Sequence, residues 1–294
     1  MRAVARAGGG VAGGWVASSK RRWVTLSHTD GCQGARSDRA WESGLLASAT
    51  SGAGARGAVR IFSCGGGPLL VTDRVNPYPC TDKAWIYDAR DGSTTELPEV
   101  LNTGRAFHTA TLMNDGRVLV AGGVTYGGQK ANGDYFTLVL NDAEIWDPVA
   151  GTFTVVPMSK YRAGHTSNLL PDGRVLITGG TKGNGAHELT DVTDLLGTSQ
   201  ADSEIFDPAT NSFSNGPWMS EPKAGAGGVT LQDGRIWIGG GLTHTTVFGI
   251  PIPAFPTQVD LHDPASNSSG PPPPLPPPPP PFPPSLPPPP PLPL

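Results

Sequence analysis

The chain has 294 residues, a formal net charge of −4 at neutral pH and 37% hydrophobic residues. A slightly acidic chain lacks the concentrated basic face that nucleic acid requires, so we expect no nucleic-acid partner. No stretch reaches the ~20 consecutive apolar residues of a membrane span. Three cysteines are too few for a disulfide framework. A Cys64–Cys80 disulfide is one alternative if the compartment is oxidising, but a buried free thiol at Cys64 is favoured.

Residues 1–57 are predicted to be a low-complexity, disordered extension. Five basic residues and no acid precede Asp30, and a continuous apolar secretory core is absent. This composition gives weak transit-peptide character without a clear signal peptide. Both a cytoplasmic and a secreted or cell-wall location therefore remain open.

An apolar strand that runs into a glycine pair recurs four times along the chain. Its leading arginines are 57, 57 and 61 residues apart, at Arg60, Arg117, Arg174 and Arg235. A fixed period of this length is typical of repeat arrays and propellers, in which each unit buries its apolar face against its neighbours.

The second repeat predicts four antiparallel strands. Asp115-Gly116 is a hairpin signal, the apolar run before Gly122-Gly123 predicts a strand covered on both faces, and Pro148 ends a third strand. The predicted strands are residues 108–113, 118–121, 142–147 and 152–157. The aromatic residues Tyr87, Trp146 and Phe206 are expected to wedge between neighbouring blades.

Both ends of the array are predicted to be incomplete. The glycine-alanine run at residues 51–55 lacks the apolar side chains of an inner strand, so the first blade should lack one. The polar residues after Pro264 should leave the last blade without its outer strand. The chain would then be an open array of about four blades, or part of a larger ring.

The Arg-x-x-His-Thr, Asp-Gly-Arg-Val-Leu, Gly-Gly and Glu-Ile-aromatic-Asp-Pro elements recur in order and resemble the kelch repeats of the galactose-oxidase-like propeller superfamily. The resemblance implies an all-β fold, a partial kelch-type β-propeller of about four four-stranded blades over residues 58–265. It does not imply a particular activity.

The copper-radical oxidases of this superfamily need a tyrosine just after an arginine, whereas Arg105 is followed by Ala106 and Phe107. Phenylalanine can neither ligate copper nor hold a radical. His108 and His165 occupy equivalent positions and are expected to make hydrogen bonds between blades. We therefore predict no catalytic residue, no cofactor and no metal.

The strand order places the long loops on one face with the blade-to-blade connections, and binding normally resides in long loops on a rigid scaffold. The loops are residues 67–84, 124–142, 181–202 and 242–258. The candidate binding residues are Tyr126, Lys130, Tyr135, Lys182, Asn184, His187, His244 and Phe248. Glu188, Asp191 and Asp194 could hold a cation, although a solvated acidic stretch is favoured.

Residues 266–294 form a proline-rich tail, which is predicted to adopt an extended polyproline II rod. Such rods are spacers or ligands of polyproline-binding modules. The docking candidates are Pro276, Phe282, Leu286 and Pro287.

These features predict a non-enzymatic interaction scaffold that presents loops to a protein or glycan partner. One alternative is a galactose or glyoxal oxidase-like copper-radical enzyme that has lost its site. Another is a secreted wall-associated structural glycoprotein, for which Asn267-Ser268-Ser269 would be a glycosylation acceptor.

Overall fold

The computed structural model of the chain describes residues 23–24, 47–53, 58–67, 80–88, 91–190, 194, 197–248 and 250–272. Within these residues the fold is an all-β array of four antiparallel blade sheets, one from each repeat, with two smaller sheets formed by the long loops. Each sheet is one blade of a kelch-type β-propeller. The predicted fold class is confirmed.

The strands follow the chain repeat by repeat. The first repeat contains β1 (Trp23–Val24), β2 (Ala47–Ala53), β3 (Ala58–Cys64), β4 (Ala84–Asp88) and β5 (Ser93–Glu96). The second contains β6 (Thr109–Leu112), β7 (Val118–Ala121), β8 (Val124–Gln129), β9 (Tyr135–Val139), β10 (Asp142–Asp147) and β11 (Thr152–Pro157). The third contains β12 (Thr166–Leu169), β13 (Val175–Thr178), β14 (Glu188–Leu189), β15 (Ser203–Asp207) and β16 (Ser212–Asn215). The fourth contains β17 (Gly227–Thr230), β18 (Ile236–Gly239), β19 (Thr243–Val247), β20 (Ile250–Ala254), β21 (Asp260–Asp263) and β22 (Ser268–Gly270).

From the inner to the outer edge, the second blade has the strand order β6-β7-β10-β11. The third blade follows as β12-β13-β15-β16 and the fourth as β17-β18-β21-β22. The first has the order β2-β3-β4-β5, with β1 added beside β2. The inner strands β2, β6, β12 and β17 lie in contact in that sequence, so the blades follow one another along the array.

The two predicted gaps at the ends of the array are wrong. β2 pairs with β3 along its whole length, from Ala47 with Cys64 to Ala53 with Ala58. A poor strand former can be held by backbone hydrogen bonds to a formed neighbour, since β-propensity depends strongly on context. The outer strand β22 pairs with β21 and is short and polar, as exposed edge strands often are. The first sheet thus begins before residue 58, and the fourth ends after residue 265.

Apolar side chains of consecutive blades form three shared cores. Phe62 of the first blade stacks on Trp146 of the second, with ring centroids 4.7 Å apart. Phe206 of the third blade packs among second-blade side chains, including Leu119. The prediction of interblade aromatic wedges is thus right for Trp146 and Phe206. It is wrong for Tyr87, which is 38% exposed.

A buried ion pair repeats in the second, third and fourth blades. Arg105 contacts Glu144 at 2.6 Å, Arg162 contacts Glu204 at 3.1 Å, and Lys223 contacts Asp260 at 2.6 Å. Removing one partner of such a pair leaves an uncompensated buried charge, which is strongly destabilising. Each ion pair also holds in place the segment of chain that leads into the inner strand of its blade. Glu204, for example, accepts the Ser159 backbone N–H at 2.8 Å.

The glycine pairs fasten each blade to the next. The Gly123 N–H donates to the Arg162 carbonyl at 2.9 Å, and the Gly180 N–H donates to the Lys223 carbonyl at 2.7 Å. A Cβ atom on Gly122 would clash with the Arg162 carbonyl oxygen, and one on Gly179 would lie 2.5 Å from the Lys223 oxygen. Only glycine permits this approach, and its positive φ angle adds the same requirement.

Candidate functional site

The long loops between the second and third strands of each blade form one face, which we call the loop face. The short Asp-Gly turns and the turns between third and fourth strands lie on the opposite face. In the second, third and fourth blades the long loops contain strands of their own, which were not predicted from the sequence. Most of the first blade's loop, residues 68–79, lies outside the described residues.

The loop of the second blade is a hairpin formed by β8 and β9. Its turn contains Asn132-Gly133, and Gly133 has a φ of +88°. Asn-Gly between β-forming residues is a strong hairpin signal, so the sequence did carry this information. A register shift between Tyr126 and Gly128 bends β8. Gly127 faces Phe136 so closely that a Cβ atom would meet its ring.

The loop of the third blade adds β14 to this hairpin, so that β8, β9 and β14 form a three-stranded sheet, the platform. Lys130 makes an ion pair with Glu188 at 2.9 Å, and its ammonium group lies 5.5 Å from the centroid of the Phe136 ring. Lys130 therefore connects the loops of two blades, and the platform is a single unit supported by both.

His187 precedes β14 and stacks on Tyr161, with centroids 3.5 Å apart and ring planes within 5°. Its φ is +60°, and its Nδ1 lies 3.1 Å from the Lys182 carbonyl oxygen. The Asn184 carboxamide oxygen accepts the backbone N–H groups of Ala186 and Glu188, which closes the turn. His187 and Asn184 thus shape the loop, while the stacked ring pair is half-buried at the surface.

Tyr126 and Tyr135 lie together on the platform, with ring centroids 6.2 Å apart. Both side chains are half-buried. The pair offers an aromatic surface with polar hydroxyl groups, a composition that suits contact with a protein or a sugar.

The fourth blade carries a second hairpin, formed by β19 and β20. Phe248 at its tip is fully exposed with a φ of +50°, and Phe255 beyond β20 is 79% exposed. Val247 and Ile252 are also exposed. Residues 242–258 contain no Asp, Glu, Lys or Arg. This unit, the apolar hairpin, therefore presents aromatic and aliphatic groups to solvent.

The structure places the eight predicted loop residues in three parts of the loop face. Tyr126, Lys130 and Tyr135 lie on the platform, and Lys182, Asn184 and His187 lie in the loop that supplies β14. His244 and Phe248 lie on the apolar hairpin, where His244 Nδ1 is 2.9 Å from the Ser199 hydroxyl oxygen. Sequence reasoning missed Tyr161, Ile252 and Phe255. The alternating Ile-Pro-Ile-Pro of residues 250–253 was the available signal for a protected edge strand.

The acidic residues of the third loop have other contacts. Glu188 pairs with Lys130, and Asp194 accepts hydrogen bonds from the Thr190 N–H and hydroxyl groups. Asp191 lies outside the described residues. In the described part of the chain, no three His, Cys, Asp or Glu side chains are grouped so that they could hold a metal ion. The described residues also contain no helix with the length and apolarity to cross a membrane.

Cys64 and His108 form a buried pair, with Sγ 3.4 Å from Nε2. Burial raises the pKa of the Cys64 thiol well above its usual range, and burial together with Arg105 lowers the pKa of His108 to about 3. Both groups are therefore neutral and closed to a substrate. His165 Nε2 lies 2.9 Å from the Thr109 hydroxyl oxygen of the preceding blade. The predicted interblade role of both histidines is confirmed, and Cys64 and Cys80 are free thiols.

Together, the consecutive sheets that contact one another through their inner strands, the recurring glycine pairs and the shared long-loop face give the fold of a kelch-type β-propeller. No protein-family model matches the chain. Part of it is 26% identical, over 161 residues, to the kelch-like protein terF of Aspergillus terreus. That match covers 53% of this chain and 32% of terF, so the chain spans about a third of its relative. The solved structure of YjhT superposes with a TM-score of 0.53 at 14% identity, covering 76% of this chain and 81% of YjhT. At that identity the likeness shows the fold alone.

Proposed function

We propose that this propeller is a non-enzymatic scaffold that binds a protein partner on its loop face. The observation that carries the proposal is the apolar hairpin, whose Phe248 and Phe255 lie in solvent on an uncharged segment. Exposed aromatic groups without neighbouring charge are typical of the centre of protein interfaces. The platform on the same face supplies half-buried tyrosines, which are also enriched at such interfaces.

The composition of the hairpin favours a protein over a glycan. Its exposed side chains are Val247, Phe248, Ile252 and Phe255, none of which can donate a hydrogen bond to a sugar hydroxyl. A glycan would instead use the Tyr126–Tyr135 pair. The kelch-like name of terF agrees with a binding role, although it says nothing about the partner.

The enzymatic alternative has little chemical support among the described residues. Phe107 occupies the position of the expected tyrosine, has a φ of +56° and packs partly buried beside Val124. We expect the purified chain, supplied with copper, to produce no peroxide from galactose or glyoxal. Copper-dependent peroxide production from either substrate would revive the oxidase hypothesis.

The role of the tail remains a prediction, because Pro276, Phe282, Leu286 and Pro287 lie outside the described residues. As a spacer it would be dispensable for partner binding, whereas as a ligand it would bind polyproline-recognition modules by itself. Hydroxyproline in the tail of the native protein, detected by mass spectrometry, would support the wall-glycoprotein alternative.

The test compares partner capture by matched chains. A Phe248→Ser/Phe255→Ser variant should fold normally, since both rings are exposed, but should lose about tenfold or more of the specific partner signal because interface aromatics dominate binding. The readout is cross-linking followed by quantitative mass spectrometry, with contacts mapped to residues 242–258.

The control is Val149→Ser, which removes an equally exposed apolar side chain from the opposite face. A chain ending at residue 272 separates tail-dependent partners from propeller-dependent ones. Equal capture by the double variant and the control would contradict the proposal. Contacts that map only to Tyr126 and Tyr135 would move the site to the platform.

A further inference from the structure

The two ends of the blade array expose the two halves of the interface that joins its internal blades. In each internal interface, the side chains of one blade that point forward along the array pack on those of the next blade that point back. The fourth blade has a forward face without a neighbour among the described residues, and the first blade has a rear face without one.

The forward face of the fourth blade is the row Val229, Trp237 and Leu261, which are cross-strand partners. Val229 is 55% exposed and Trp237 is 38% exposed. The corresponding row of the second blade is Thr111, Leu119 and Ile145, and all three are buried. The fourth blade therefore has apolar groups at positions that elsewhere receive the next blade.

The rear face of the first blade contains Ile61 and Tyr87, which pair across β3 and β4. Ile61 is half-buried and Tyr87 is 38% exposed. The same register positions in the third blade are Val175 and Phe206, both fully buried against the second blade. This face therefore has the chemistry of a surface that packs on a preceding blade.

The glycine pair of the fourth blade lacks the contact with a following blade that the glycine pairs of the second and third blades make. A Cβ atom on Gly179 would meet the next blade's Lys223 carbonyl at 2.5 Å, whereas one on Gly240 would meet nothing within 4 Å. Among the described residues, the Gly241 N–H has no backbone acceptor of the kind that Gly123 and Gly180 find in the following blade. The backbone at this end is shaped for a neighbour.

We infer that the forward face of the fourth blade packs on the rear face of the first blade of a second copy of this chain. The complementarity is that of the internal interfaces, which already join forward and rear faces of this sequence. The contact is heterologous, so it closes only if its rotation completes a ring. Two chains related by a two-fold axis would close a ring of eight blades, at the upper end of the range of four to eight known for propellers.

The assembly is tested by light scattering coupled to size exclusion, with the full 294-residue chain over a range of concentrations. The wild type should be a dimer. Trp237→Asp and Tyr87→Asp should each weaken the dimer by about 30-fold or more, because each places a charge in the centre of both symmetry-related interfaces. Trp218→Asp, which alters a more exposed tryptophan in the connection between β16 and β17, should leave the dimer intact.

Mixing the two variants distinguishes this arrangement from others. The unaltered fourth blade of Tyr87→Asp can meet the unaltered first blade of Trp237→Asp, so the mixture should form heterodimers with one intact interface. A face-to-face dimer through Trp237 would leave Tyr87→Asp fully dimeric and the mixture without rescue, which would overturn the inference. A wild type that stays monomeric at about 100 µM, well above a typical micromolar Kd, would also overturn it. Unchanged circular dichroism of each variant shows that loss of the dimer is not loss of folding.

Discussion

At the scale of single residues, burial determines the protonation of the two histidines that immediately precede the inner strands β6 and β12. Burial and the nearby Arg105 lower the pKa of His108 to about 3, and burial with Arg162 lowers the pKa of His165 well below its usual value. Each histidine is neutral in the folded chain at neutral pH. Each also bonds to the preceding blade, through Cys64 for His108 and through Thr109 for His165.

The difference between the folded and unfolded pKa values of His108 and His165 predicts a pH-dependent stability. The folded pKa lies below the unfolded value of about 6.5, so the stabilisation is complete above that pH and is lost as pH falls toward the folded pKa. Each histidine can contribute a slope of up to about 1.4 kcal/mol per pH unit. The free energy of unfolding in urea should therefore decrease as the pH is lowered from about 7.5 to 5. This interval lies above the range in which carboxylates titrate.

The control is the His108→Asn/His165→Asn variant, which retains side chains of moderate size but cannot take up these protons. Its free energy of unfolding should be lower at pH 7.5 and should fall less steeply over this interval, with a remaining slope from His262, whose pKa burial also lowers. A slope equal to that of the wild type would show that other groups cause the dependence.

At the scale of the structural element, the glycine pair is the junction between blades, and two of its members form a matched test. Gly179 and Gly240 have the same φ of +72°, so alanine pays the same backbone cost of roughly 1–2 kcal/mol at either site. Only Gly179→Ala also forces a Cβ atom against a backbone oxygen of the next blade.

Gly179→Ala should therefore destabilise the chain by about 1–3 kcal/mol more than Gly240→Ala, the usual cost of overpacking. Chemical denaturation at low protein concentration measures the difference without contributions from assembly. Equal losses of unfolding free energy would mean that the interblade approach at Gly179 relaxes without cost.

The strand pattern within a blade was predictable because hairpin turns and apolar runs are local signals. Asp115-Gly116 and the buried run of β7 identify two strands without reference to the rest of the molecule. The strand β2 was not predictable, because its small residues have low intrinsic preference for a sheet and its pairing with β3 supplies the stability. The β8–β9 hairpin was overlooked although Asn132-Gly133 signalled it.

At the scale of the whole molecule, the inferred ring predicts a melting temperature that depends on concentration. A dimer that dissociates as it unfolds is stabilised by mass action, so raising the wild-type concentration should raise its Tm. Trp237→Asp should show a lower Tm that does not change with concentration. Differential scanning fluorimetry over a hundredfold dilution series measures both, and a concentration-independent wild-type Tm would argue against the ring.

The sequence by itself determined the blade: its strand order, its short turns and the face on which its long loops emerge. These features follow from local periodicity and from residues that permit only certain backbone angles. Only the tertiary structure decided how the loops combine. Lys130 in the loop of the second blade forms an ion pair with Glu188 in the loop of the third, and β9 pairs with β14. It also decided which equivalent side chains are exposed. Leu119 and Trp237 occupy the same position in their repeats, but Leu119 is buried against the third blade whereas Trp237 is 38% exposed.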